Sequence, residues 1–133
     1  MDLLEWAKIY LKNKDTHAKK IISMNCSFDK IECECIDGPI VYFMSETLDA
    51  SLLEKVMSGK RGIFCLNIKK NIDFIIKNWN ELIKNKELIV VFANPATNNK
   101  WVLRPYTHNL ISDESTLSLG LKSLFEGVEE VIA

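Results

Sequence analysis

A chain of 133 residues with 47% hydrophobic and 26% charged side chains carries enough apolar surface for one folded core, so we expect a single domain over residues 1–133. The formal net charge of −1 disfavours a protein that binds nucleic acid or anionic lipid over a broad surface, because such proteins carry an excess of lysine and arginine. The sequence opens without a basic, apolar leader and contains no apolar run of membrane-spanning length, which predicts a cytoplasmic protein without membrane contact.

The first half of the chain changes its apolar period from helical to strand-like. Leucine and alanine repeat at helical spacing in residues 2–13, which predicts an amphipathic first helix. Between residues 20 and 46 the period is two and turn residues interrupt it twice, which predicts three antiparallel strands in a meander. Ser45 or Thr47 then caps a second helix, and a short buried strand follows over residues 62–68.

The second half contains the most regular helical stripe. Residues 69–86 are predicted as one helix with Trp79 at the centre of its apolar face. The apolar run 88–93 has the length and composition of a central strand that is covered on both faces. A further strand over residues 101–107 and a closing helix over residues 113–132 complete the prediction.

This order of elements predicts a mixed α/β fold. We expect a single mixed sheet of about six strands, with an antiparallel meander, a parallel crossover and helices on both faces. The opening α-β-β-β-α-β resembles, in order only, the core of the PD-(D/E)XK nuclease-like fold. That family places an acidic residue and then an acidic-x-lysine triplet on its second and third strands, whereas no lysine follows Asp37 before Leu48. No residue is therefore assigned a nuclease role.

Motifs for several common kinds of catalysis are missing from the sequence. It lacks the phosphate-binding glycine loops, the G-x-S-x-G nucleophile elbow and the H-E-x-x-H zinc motif, which disfavours standard ATPases, Rossmann dehydrogenases, α/β-hydrolases and zincins. We expect no cofactor. The cysteines, Cys26, Cys33, Cys35 and Cys65, stand in apolar strand positions without zinc-knuckle spacing, so we expect reduced, metal-free core thiols.

The first candidate site is a group of polar side chains near the end of the predicted strand 101–107. Strand alternation places Arg104, Tyr106 and His108 on one face, where they combine a cation, a phenol and an imidazole. We expect Asp113 or Asn94 to approach the same cavity, which would suit an anionic ligand or proton transfer. The alternative is that these side chains form the solvent face of an edge strand.

The second candidate site lies at the loops that follow the two buried strands. Lys69 and Lys70 fall in the first turn of a predicted helix, where they oppose the helix dipole unless an anion is bound. Asn94 follows the other strand, and ligands of parallel sheets collect at the carboxyl ends of strands. The alternative is a pair of solvent-facing lysines.

Three functions remain open. The first is a non-enzymatic protein-interaction module that binds another protein or a second copy of itself, with Trp6, Tyr10 and Phe74 as aromatic anchors. The second is an enzyme or a binder of a small anionic ligand, centred on the first candidate site. The third is a degenerate nuclease-like domain that binds nucleic acid without cleaving it. The third function requires a basic stripe through Lys60, Arg61, Lys69 and Lys70.

Overall fold

The computed structural model describes residues 1–132, with Glu114 described in its backbone only, and Ala133 lies outside the described part. The strands are β1 (Ile21–Cys26), β2 (Lys30–Cys35), β3 (Gly38–Met44), β4 (Arg61–Leu66), β5 (Ile89–Asn94) and β6 (Asn99–Leu103). They form one six-stranded sheet in the order β1-β2-β3-β4-β5-β6. The pairs β3·β4 and β4·β5 are parallel and the other three are antiparallel. The predicted mixed α/β architecture is confirmed.

Helices cover both faces of this sheet. They are α1 (Leu3–Ala18), α2 (Ser51–Lys55), α3 (Lys69–Lys77), α4 (Trp79–Leu82), α5 (Pro105–Ile111) and α6 (Leu117–Glu126), with a short 3-10 helix at Glu114–Thr116. No helix in residues 1–132 is both long and apolar enough to cross a membrane. Asp2 caps the start of α1, because its carboxylate accepts a hydrogen bond from the Glu5 amide, and the helix extends beyond the predicted end at residue 13.

Two apolar clusters lie on opposite faces of the sheet because the central strands are apolar on both sides. One cluster joins α1 to β2, β3, β4 and β5, and the other joins α2, α3, α4 and α6 to β4, β5 and β6. Along β4, Phe64 faces the α1 cluster, whereas Ile63 and Cys65 face the opposite one. The prediction of a central strand covered on both faces is confirmed for β5.

The predicted helix 69–86 is divided in two. The break falls at Asn78, whose side-chain amide donates to the Phe74 carbonyl oxygen at 2.9 Å. Trp79 begins α4 and is buried, as the apolar stripe predicts, and its indole N–H donates to the Asn109 side chain at 3.0 Å. The stripe therefore identifies the buried face correctly, although not the helix break.

The predicted strand 101–107 is wrong beyond Leu103. Pro105 takes the first position of α5, where its fixed φ suits a helix and its missing N–H costs nothing. The His108 amide donates to the Arg104 carbonyl oxygen at 2.8 Å, so these two residues are one helical turn apart. Arg104, Tyr106 and His108 therefore do not share a strand face.

The predicted closing helix 113–132 is shorter than expected. Asp113 accepts a hydrogen bond from the Ser115 amide at the start of the 3-10 helix, and α6 ends at Glu126. Residues 127–132 continue without helical structure and lie against the carboxyl end of the sheet, where the Val131 amide donates to the Asn67 carbonyl oxygen at 3.0 Å.

Candidate functional site

The carboxyl ends of the parallel strands are covered by the chain itself. Asn67, fully buried after β4, directs its side-chain amide at three carbonyl oxygens of residues 125–129, at 3.1 to 3.3 Å, and accepts from the Trp101 indole at 2.8 Å. Asn94 is also buried and donates to the Glu129 carbonyl oxygen at 3.2 Å. These amides hold the C-terminal segment in place, so both asparagines have structural roles here.

At the second candidate site, a carboxylate of the chain itself lies where an anionic ligand was expected. The backbone amide of Lys69, at the start of α3, donates to the Glu130 carboxylate at 3.2 Å. That carboxylate provides the negative charge that a helix N-terminus favours and that the first-turn lysines lack. The side chains of Lys69 and Lys70 are exposed. This end of the sheet is therefore closed by the chain's own tail.

Of the first candidate site, Arg104 and His108 remain together, whereas Tyr106 has different surroundings. The Tyr106 ring lies 5.4 Å from the Lys86 ammonium, whereas the His108 ring lies edge-on to Trp79 at 5.9 Å. Burial lowers the pKa of His108, which keeps its imidazole neutral at pH 7. Arg104 and His108 line one shallow hollow, and Tyr106, Asp113 and Asn94 are not among its lining residues.

A less open cavity lies at the amino ends of the parallel strands, opposite the carboxyl ends that the C-terminal segment covers. We call it the α1 cavity, because the C-terminal half of α1 forms its roof over β1, β2, β3 and β5. It encloses about 380 Å³, within the usual range for small-ligand sites. Its charged and polar side chains are Lys14, Asp15, Lys20, Asp37, Tyr42, Lys60 and Arg104.

Both carboxylates of the α1 cavity already have partners. Asp15 accepts hydrogen bonds from the backbone amides of Lys20 and Ile21, at 2.8 and 3.0 Å, in the turn that ends α1. Asp37 lies 3.9 Å from the ammonium groups of both Lys20 and Lys60. These two carboxylates therefore balance the two lysines on the strand side of the cavity.

Lys14 and Arg104 form the unbalanced side of the α1 cavity. Within residues 1–132, no salt bridge joins either side chain to a described carboxylate. Burial lowers the pKa of Lys14, and the positive charges of Arg104 and Lys100 lower it further. The side chains of Lys14, Lys100 and Arg104 are exposed and close enough for their charges to repel, a repulsion that a bound anion would reduce.

Tyr42, on β3, adds an unpaired hydrogen-bond donor. Its ring packs against Phe64, with centroids 5.3 Å apart, and only 8% of the residue is exposed. No described residue forms a hydrogen bond with its hydroxyl. Every fully buried side-chain N or O atom in the described residues has a hydrogen-bond partner, so the Tyr42 hydroxyl is not fully buried. Tyr42 lines the α1 cavity, which gives the hydroxyl its access. Burial raises the pKa of Tyr42, which keeps the hydroxyl protonated.

The cysteines do not converge on one site. Cys33 and Cys65 are buried as predicted, but in clusters on opposite faces of the sheet, and Cys26 and Cys35 are only half-buried. Burial raises the pKa of Cys35, which lines the α1 cavity, so its thiol is a weak nucleophile. Within the described chain, no three histidine, cysteine, aspartate or glutamate side chains come together as metal ligands.

The basic stripe required for nucleic-acid binding is interrupted. Lys60 precedes β4 and lines the α1 cavity, whereas Lys69 and Lys70 follow β4 at the other edge of the sheet. A strand of six residues separates the two ends by about 20 Å. Arg61 directs its guanidinium at the Lys60 carbonyl oxygen. These four side chains therefore do not form one surface.

The aromatic anchors expected for a protein interface are largely internal. Trp6 is buried and its indole donates to the Asn98 side chain at 2.9 Å, while Phe74 packs partly buried against the core. Tyr10 is half-buried and stacks on Trp6 at a centroid distance of 5.2 Å. Tyr10 lines the shallow hollow that also contains Arg104 and His108.

Comparisons with protein families, with curated proteins and with solved structures found no match. Sequence reasoning selected Arg104 but missed Lys14 and Tyr42. Lys14 follows the predicted end of the first helix, and Tyr42 stands between two apolar residues of a strand, so neither position carries a local signal for a ligand. They come together only because α1 continues to Ala18 and crosses the amino ends of the strands.

Proposed function

We propose that this domain binds a small ligand with a phosphate or carboxylate group in the α1 cavity. The observation that carries the proposal is the unpaired Tyr42 hydroxyl, nearly buried, in the same cavity as Lys14 and Arg104, neither of which has a described carboxylate partner. A guanidinium fork, an ammonium and a hydroxyl are the donors that bind an oxyanion best.

The chemistry of the cavity supports binding without a covalent step. The Cys35 thiol has a pKa raised by burial, and the His108 imidazole outside the cavity has a pKa lowered by burial. The raised pKa makes the Cys35 thiol a weak nucleophile, and His108 is not among the lining residues of the α1 cavity. The α1 cavity instead offers hydrogen-bond donors, the buried Tyr42 side chain on β3 and the exposed Lys14 side chain on α1.

Binding of inorganic phosphate, followed by NMR or calorimetry, tests the proposal. Lys14→Ala and Tyr42→Phe each remove one donor, and each should weaken binding by about 10- to 100-fold, the usual loss for a hydrogen bond to a charged group. The matched control is Lys12→Ala, on the same helix but outside the cavity, which should bind as the parent does. Equal affinity in all three variants, or no binding to the parent, would contradict the proposal.

A second candidate function, a protein-interaction module, is favoured by a different surface. Large apolar side chains are exposed on α5 and α6, among them Leu110 and Leu119, which are 67% and 69% exposed. If these side chains form an interface between copies, concentration-dependent association should occur in sedimentation experiments. Leu110→Ser combined with Leu119→Ser should then abolish the association. If the parent protein is monomeric at all concentrations, self-association is ruled out as the basis of this function.

A further inference from the structure

A second hollow opens directly beside the α1 cavity. We call it the His108 hollow; it encloses about 460 Å³ between α1, β6, α5 and α6. Lys14 and Arg104 line both depressions, so the two adjoin at these cations. A ligand held by Lys14 and Arg104 therefore has space on both sides of its anionic group.

The far wall of the His108 hollow is apolar although it faces solvent. Ile111 is 80% exposed and Leu124 is 42% exposed, and Val102 from β6 lies beside them. Apolar side chains grouped around a pair of cations mark a surface that gains from burial by an apolar group. The two depressions thus differ in chemistry, one suited to an anion and the other to an apolar body.

Planar groups line the near wall of the same hollow. Tyr10 and His108 contribute rings, and Arg104 contributes a flat guanidinium that stacks readily on aromatic faces. The Tyr10 ring is fixed because Trp6 stacks on it with an interplanar angle of 7°. Lys14 and Lys100 lie over this ring, at 6.0 and 5.4 Å from its centroid.

We propose, resting on the anion-binding function above, that the natural ligand is an aromatic anion. Lys14, Arg104 and Tyr42 hold its phosphate or carboxylate group in the α1 cavity, and its ring lies in the His108 hollow against Ile111 and Leu124. A ring is favoured over an alkyl chain, because a rigid ring has no internal rotations to lose on binding, whereas a chain loses rotations about its C–C bonds.

Three phosphates of graded structure test this proposal: inorganic phosphate, butyl phosphate and phenyl phosphate. Phenyl phosphate should bind at least about 10-fold more tightly than inorganic phosphate, as expected for burial of one ring-sized apolar group. Butyl phosphate should fall between the two. Ile111→Ala combined with Leu124→Ala should remove most of the gain while leaving the affinity for inorganic phosphate unchanged. Leu110→Ala, an exposed neighbour outside the hollow, is the matched control.

The outcomes separate the two proposals. If inorganic phosphate binds but phenyl phosphate binds no more tightly, the aromatic ligand is ruled out and the anion site remains. If butyl phosphate matches phenyl phosphate, the preference for a ring is ruled out. If none of the three binds, both proposals fail together.

Discussion

Gly62, on β4, lies directly beneath the ring that carries the candidate donor. It pairs with Tyr42 of β3 in parallel register, and a Cβ atom at this position would overlap the tyrosine ring. The missing side chain therefore lets the ring lie against the backbone, which fixes where the hydroxyl enters the α1 cavity.

Gly62→Ala is expected to destabilise the protein and weaken phosphate binding at once. The ring must shift or the strands must separate, and overpacking of this kind costs about 1–3 kcal/mol of unfolding free energy. Urea denaturation gives the stability change and a phosphate titration gives the binding change. Gly120→Ala in α6 is the control, because a Cβ there meets nothing within 4 Å. A Gly62→Ala protein with parent stability and parent affinity would show that the ring is not held as described.

Individual residues of the candidate site differ in how readily the sequence alone identifies them. Arg104 is one of few arginines, so composition alone draws attention to its guanidinium. The role of Tyr42 depends on the absence of a hydrogen-bond partner, which is a property of its three-dimensional surroundings. Asn67 shows the converse, because a polar residue at a strand end resembles a ligand until its amide is found to hold the C-terminal segment.

The pair α3 and α4 shows which properties of an element a pattern determines. The apolar stripe is set by helical periodicity and correctly places Trp79 in the core. The break at Asn78 depends on a side-chain amide bonding back to the Phe74 carbonyl oxygen, a local competition that periodicity does not report.

Trp79→Ala is expected to cost about 3–5 kcal/mol of unfolding free energy, the usual range for removing a buried large aromatic side chain. Trp79→Phe keeps most of the apolar contact and loses the hydrogen bond to Asn109, so its cost should be clearly smaller. Equilibrium urea unfolding measures both. A loss below about 1 kcal/mol for the alanine variant would mean that α4 does not pack against the core.

Helix α5 explains why the first candidate site was misplaced. Proline biases the preceding residue toward extended backbone, and Arg104 is extended, so the sequence fits either a continuing strand or a helix that begins at Pro105. In the structure the helix forms, and it brings the Asn109 side chain to the Trp79 indole. Arg104 precedes α5, and it lines the His108 hollow together with Val102 and Lys14.

The fold class was predictable because the apolar period of most segments matches the helix or strand that they form. In addition, β4 and β5 are apolar on both faces, as central strands are. The α1 cavity was not predictable, because it depends on how unequally the helices cover the two faces of the sheet. One face of the sheet is covered by α1 alone and the other by α2, α3, α4 and α6. A single helix leaves space beside it at the amino ends of the strands. The position of the α1 cavity therefore depends on where α1 crosses the sheet.

Three buried acidic groups give the whole molecule a common response to alkali. Burial raises the pKa of Cys33 from 9.0 to about 11, and burial also raises the pKa values of Cys65 and Tyr42. The neighbouring Cys35 and Cys26 thiols raise the pKa of Cys33 further. Each group therefore holds its proton more tightly in the folded protein than in the unfolded chain.

Near neutral pH these groups stay protonated in both states and do not change the unfolding free energy. The unfolding free energy should fall as the pH rises from about 9 to 11. The unfolded chain releases its thiol protons first, so alkali favours unfolding. Urea midpoints at pH 7, 9 and 10.5 measure the fall, and Cys33→Ala combined with Cys65→Ala should flatten it relative to the parent. The half-buried Cys26→Ala variant should retain most of the parent's dependence, because burial, the largest cause of the raised pKa of Cys33, is unchanged in it. Parallel curves for all three proteins would show that the buried thiols do not carry the effect.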